Sequence, residues 1–234
     1  MRPSLTTASV LALGVGLAPA AGHAATATAD ALVDATLTIT APDSVTVSFD
    51  TAAADPQTNR TGSGDATAGG EVTEDSAEIT INPFAGASAG PGIGTADSQS
   101  VRSSTVTLTN NDRDPVEVGL SLTGDLGAEA SIDRPGLDTA ASGAVLGLSS
   151  ALSGDQVPID ESWSANAIAG ADAEGDPFEG FETALSLGAF DTIDDLTVEG
   201  SASTRVSAIP VPAGLPLLLG GLGALAFLHR RRKG

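Results

Sequence analysis

The stretch STVTLTNNDRDPVEVGLSLTGD, residues 104–125, alternates apolar with small polar side chains at every second position. Val106 and Leu108 lie on one face before the turn-forming NNDRDP, and Val116, Val118, Leu120 and Leu122 lie on one face after it. That period of two belongs to a half-buried β-strand, because successive Cβ atoms point to opposite sides of a pleated chain. The segment therefore predicts a two-strand unit joined at Asn110 to Pro115. The same period recurs in ATLTIT, with Leu37 and Ile39, and in VTVSF, with Val45, Val47 and Phe49, on either side of the turn residues APDS. A hairpin and a crossing between sheets both fit that pair.

Further strands are predicted at AEITI (77–81), EASI (129–132), AVLGLSSAL (144–152), ALSLGAF (184–190) and DLTVEGSASTRVSA (195–208). No run shows a convincing amphipathic helical period. Eight or nine short strands with Gly, Pro and Asp in the turns predict an all-β chain, an antiparallel β-sandwich of immunoglobulin-like architecture. Residues 50–76 and 85–100 carry little that is large and much Gly, Ala, Thr and Ser, and are expected to be long loops, the first a flexible one.

The core of such a domain is thin. Leu, Ile, Val and Phe make up about one residue in five between Ala25 and Ala208, near the level at which charged chains fail to fold. Alanine inflates the apolar fraction while burying little area. The chain has no cysteine, so no disulfide reinforces it. All 30 Asp and Glu fall in this segment against Arg60, Arg102, Arg113, Arg134 and Arg205, a net charge of −25. Such a field repels nucleic acid and anionic lipid, which excludes nucleic-acid binding.

Catalytic groups are equally scarce. Residues 25–208 contain no His, Cys, Tyr or Lys, which removes His-assisted triads, His-ligated zinc, Schiff-base lysines and tyrosine acids together. Carboxylate pairs remain, but Trp163 and five Phe are a poor supply of sugar platforms, so the reading is a domain that is not an enzyme. No cofactor is expected, with calcium the one candidate. DAEGDPFEGFE (172–182) offers Asp172, Glu174 and Asp176 but places Gly175 fourth and Thr183 twelfth, out of the EF-hand register. Asp112 and Asp114 in NNDRD form a second oxygen-rich turn. In both, a solvated acidic turn is the stronger reading. Asn59-Arg60-Thr61 is a glycosylation sequon weighted as chance, and Trp163 reads as packing rather than as a ligand platform.

Both ends carry export information. Arg2, the apolar Val10 to Leu17 and the small residues Gly22 to Ala24 have the layout of a signal peptide covering residues 1–24, cut between Ala24 and Ala25, with Ala18 to Ala20 a second cut site. The apolar run is about half the ~20 residues of a span. At the other end, Pro216 to Leu228 are all apolar or Gly, and a helix over about 212–228 would reach about 25 Å against a hydrocarbon core of roughly 30 Å. Arg230, Arg231, Arg232 and Lys233 form the basic stop that would hold the acidic domain outside.

The closing IPVPAGLPLLLGGLGALAFLHRRRKG, residues 209–234, resembles the C-terminal sorting signal of exosortase-processed bacterial proteins, the VPLPA-CTERM subclass of the PEP-CTERM group. Ile209, Pro210, Val211, Pro212 and Ala213 fall on V-P-L-P-A, with Ile209 for Val and Val211 for Leu, followed by Gly214, the Gly-rich apolar run and the basic end. The resemblance implies an exosortase as partner and processing near the prolines. It further implies an anchored stage in the inner membrane through the C-terminal helix, then a place in the cell envelope or outside the cell, with exopolysaccharide a candidate neighbour. The expected function is a non-catalytic structural envelope or matrix protein. The alternative is a calcium-dependent polysaccharide-binding module or adhesin. No L-P-x-T-G is present for a sortase.

Overall fold

Ten strands account for most of the residues described in the computed structural model, namely 26–133, 138–151, 158–169, 174–175 and 178–209. In chain order they are β1 (Ala27–Thr40), β2 (Val45–Ala53), β3 (Gln57–Asp75), β4 (Glu78–Asn110), β5 (Val116–Ile132), β6 (Thr139–Ser150), β7 (Ile159–Ile168), β8 (Glu174–Gly175), β9 (Phe181–Leu187) and β10 (Thr192–Ala208). They form one antiparallel sheet ordered β8-β7-β6-β10-β4-β1-β5-β9, with β2 and β3 also pairing β4. The sheet curls into a half-barrel. They lie in a compact unit spanning Ala24–Pro210, and Met1–His23 and Val211–Gly234 fall outside the described residues. The expected signal peptide and membrane helix therefore fall there too.

The 33-residue β4 explains the curl. Its first part, Glu78 to Ala89, pairs β1, and its last part, Gly94 to Thr109, pairs β10. Between them, residues 90–93 leave the ladder with β3, where Gly62 pairs Gly94 and Gly64 pairs Ala89. The one-sided insertion bends both strands, as β-bulges do. Gly62 has φ +59°, and a Cβ there would meet the Ile93 carbonyl oxygen at 1.8 Å, so only glycine fits this corner.

Beyond the corner the sheet has two limbs that face each other. One holds the first part of β4 with β1, β5 and β9; the other holds the last part with β10, β6 and β7. β1 touches β10 and β6, and β5 touches β6 and β7, without any ladder between them. The expected pair of separate, immunoglobulin-like sheets is thus corrected to a single sheet folded over on itself. Facing layers arise as expected, but hydrogen bonding is continuous because β3 and β4 are long enough to round the corner.

Side-chain size sets how the limbs meet. Near the corner the facing residues are Ala27, Ala29, Ala31, Ala85, Ala87, Ala89, Ala96, Ala140 and Ala202, all buried. Farther away they give way to Leu37, Ile39, Ile79, Ile81, Leu108, Leu120, Leu122, Leu146, Leu148 and Leu196. The core is a wedge, narrow where alanine lets the layers approach and wide where Leu and Ile hold them apart. In the narrow part, side chains reach across to backbone. Ser98 Oγ donates to the Gly86 carbonyl at 3.0 Å and Ser142 Oγ to the Glu129 carbonyl at 2.9 Å. On the side away from β4, Trp163 of β7 packs against Phe178 and Phe181, with ring centroids at 4.7 and 5.9 Å, and closes the gap towards β9. This is the packing role the sequence suggests for the tryptophan.

The loop expected over 50–76 is instead the end of β2 and the whole of β3, and the loop expected over 85–100 lies within β4. Small residues there do not signal disorder: β3 needs little apolar content because its ladder with β4 supplies the pairing, and none of its residues is buried. Likewise β4 and β5 do not pair as a local unit. β4 ends flanked by β2 and β10, and β5 crosses to pair β1 and β9. The β1–β2 turn is also a crossing between limbs.

Candidate functional site

The outer face of the limb containing β10 carries a shallow groove of about 560 Å³. Two rows of residues cross it, each assembled by strand register. One runs Gln57, Gln99, Ser203, Gly143, Asn166 along β3, β4, β10, β6 and β7. The adjacent row runs Asn59, Asp97, Arg205, Ala141. These positions alternate with the core residues Ala96, Ala202, Ala140, Ala144 and Ala167, which is why they face outward.

Small residues form the floor. A Cβ at Gly143 would come within 2.8 Å of Asn166 Oδ1, so a larger residue would displace that amide. Arg205 Nε donates to Asp97 Oδ1 at 2.9 Å, so the only charges among these row residues neutralise each other. Gln57 Nε2 donates to the Asp55 carbonyl at 3.0 Å. Among the described residues, the amides of Asn59, Gln99 and Asn166 take no side-chain hydrogen bond. Each offers one acceptor and two donor hydrogens to whatever occupies the groove.

The residues singled out from the sequence lie elsewhere. Ile209 follows β10, exposed, and its backbone N–H donates to the buried Asp138 at 3.2 Å. Pro210, Val211, Pro212, Ala213, Gly214, Arg230, Arg231, Arg232 and Lys233 lie outside the described residues, as do Ala24, Ala25, Asp172 and Asp176. Glu174 belongs to β8, paired through its backbone to Asn166 of β7. Asp112 and Asp114 occupy the β4–β5 turn and serve its own hydrogen bonds: the Asp112 N–H donates to Asn110 Oδ1 at 3.0 Å, the Asp112 carboxylate accepts from the Arg113 N–H at 2.6 Å, and the Asp114 carbonyl accepts from Asn110 Nδ2 at 2.9 Å. Among the described residues no three or more carboxylates come together as a metal site, and no helix there is long and apolar enough to cross a membrane.

The groove escapes a reading along the chain because its rows draw on five strands that the register alone brings together. Gln99 and Asp97 also sit in a stretch read as loop. Their alternation with Ala96, Ser98 and Ser100 was the available signal. Compared with protein-family models, with curated proteins and with solved structures, the chain has no match.

Proposed function

We propose that this is an exported, non-catalytic structural protein of the cell envelope or extracellular matrix, sorted by an exosortase through its last 26 residues, 209–234. The observation that carries the proposal is the tail itself: a proline-containing motif at Ile209 to Ala213, an apolar run too short for a comfortable span, and the basic Arg230 to Lys233. The fold supports it in one respect. Ala208, the last residue of β10, is buried and pairs Gly94, so the last described strand ends one residue before the motif starts. Cleavage at the prolines would leave every described strand in place. At the other end, β1 starts at Ala27, two residues after the expected signal cut.

Mass spectrometry of the envelope and secreted protein pools of the native host tests this reading. The expected product begins at Ala25 and ends between Pro210 and Gly214. Recovery of the intact His-Arg-Arg-Arg-Lys-Gly end in those pools rules out the processing step.

A further inference from the structure

The groove on the outer face of β3, β4, β10, β6 and β7 carries an inference independent of the sorting route. We propose that it binds a neutral polysaccharide strand through the uncommitted amides of Asn59, Gln99 and Asn166, with Ser203, whose Oγ donates to the Gly143 carbonyl at 3.4 Å, left to accept through its lone pairs. A sugar hydroxyl both donates and accepts, and a carboxamide does the same from adjacent atoms, so a row of amides along a trough matches a row of hydroxyls along a chain. The trough is shallow, about 560 Å³, and would lie along a chain rather than enclose a small ligand.

Charge selects the ligand class. Polyanions are repelled by a domain of net charge −25. Within these rows Arg205 and Asp97 compensate each other, leaving a locally uncharged surface suited to a neutral polyol. The same ion pair occupies the only carboxylate of the two rows, so calcium has no role in this mode of binding. Among the described residues no aromatic ring lines the groove. Contact then rests on water-exposed hydrogen bonds, each contributing little. A single segment binds weakly, on the order of 1 mM, and repeated segments of one polymer raise retention by avidity.

Native affinity electrophoresis of the full chain in mild detergent tests the proposal, with dextran, a mixed-linkage β-glucan and a galactomannan cast separately into the gels and polylysine as the cationic comparison. At least one neutral polymer should retard the protein, equally with and without a chelator. The double variant Gln99→Ala/Asn166→Ala should weaken that retardation about tenfold with an unchanged melting temperature, which is the expected behaviour of exposed side chains. Glu129→Gln, on the other limb, should leave it unchanged. Retardation by none of the three polymers overturns the proposal, as does retardation that the double variant leaves intact or that the chelator abolishes. Binding to polylysine alone overturns it as well, in favour of simple charge attraction.

Discussion

Arg102 of β4 reaches the carbonyl oxygen of Gly70 on β3, with Nε and one terminal nitrogen both donating at 3.2 Å. Its other terminal nitrogen donates to the carbonyls of Ala54 at 2.9 Å and Val101 at 2.8 Å. Arg102 is the one buried arginine among the described residues. Its planar fork ties the β2–β3 connection and β3 to the inner face of β4, a geometry that lysine's point charge does not reproduce. Arg102→Met removes the donors from three carbonyls and should cost about 1–3 kcal/mol. Arg102→Lys should recover only part of that. Urea denaturation measures the loss, and amide exchange should quicken first at residues 54–70. Unchanged exchange there would show that β3 is held by its ladder alone.

Gly200 of β10 lies directly against the opposite limb. A Cβ at this position would lie 3.0 Å from Pro83 Cγ and 3.2 Å from Ile81 Cδ1 on the opposite limb. In an open strand, Gly→Ala stabilises by about 0.4–1 kcal/mol through the unfolded chain. Here overpacking outweighs it, and Gly200→Ala should destabilise by about 1 kcal/mol and Gly200→Val by about 3. Equilibrium unfolding with an unchanged denaturant slope is the check. A stabilising Gly200→Ala would mean that the wedge has slack at this level.

The strand-forming runs around Leu37, Val47, Ile79, Val106, Leu120, Leu146, Leu185 and Val198 all sit in strands, because alternation is a local property of the chain. What alternation does not carry is pairing. Val106 lies between Phe49 of β2 and Leu196 of β10. Neither partner can be read from the chain when a 33-residue strand such as β4 meets four neighbours, β1, β2, β3 and β10. The stretches around Ala66 and Ala87 look like linkers because large side chains are missing, yet the narrow end of a wedge requires small ones. The groove depends on register across five strands, so no single stretch announces it. For the sorting motif, the structure describes only Ile209.

Asn110 holds the wide end of the wedge. It is buried, its Nδ2 donates to the carbonyls of Asp114 at 2.9 Å and Gly188 at 2.8 Å, and its Oδ1 accepts from the Asp112 N–H. These bonds join the β4–β5 turn to the β9–β10 turn. Asn110→Ala should cost about 2–4 kcal/mol by leaving several backbone groups without a partner. Asn110→Asp is a sharper test, since an ionised carboxylate would face two carbonyl oxygens with no hydrogen to donate. Its folded-state pKa would be raised, so the variant should regain stability as pH falls through that pKa. Parallel pH profiles of the variant and the native protein would expose an error in this assignment.

The outer edge of β3 pairs with no strand among the described residues, and 19 residues of open ladder are a template for edge-to-edge association. β3 has no proline or lysine to block it. It carries instead Asp65, Glu71, Glu74 and Asp75 against Arg60, whose guanidinium already pairs with Asp65 at 3.1 Å. Two copies meeting along this edge would bring like charges together, which costs free energy at cross-strand distances. The triple variant Glu71→Gln/Glu74→Gln/Asp75→Asn should therefore associate more strongly than the native chain, without loss of strand content. Sedimentation velocity in detergent measures the shift to larger species. Salt at about 1 M shortens the screening length to about 3 Å and should move the native protein in the same direction while changing the variant less. If the triple variant sediments like the native protein at both ionic strengths, charge is not what keeps this edge unpaired.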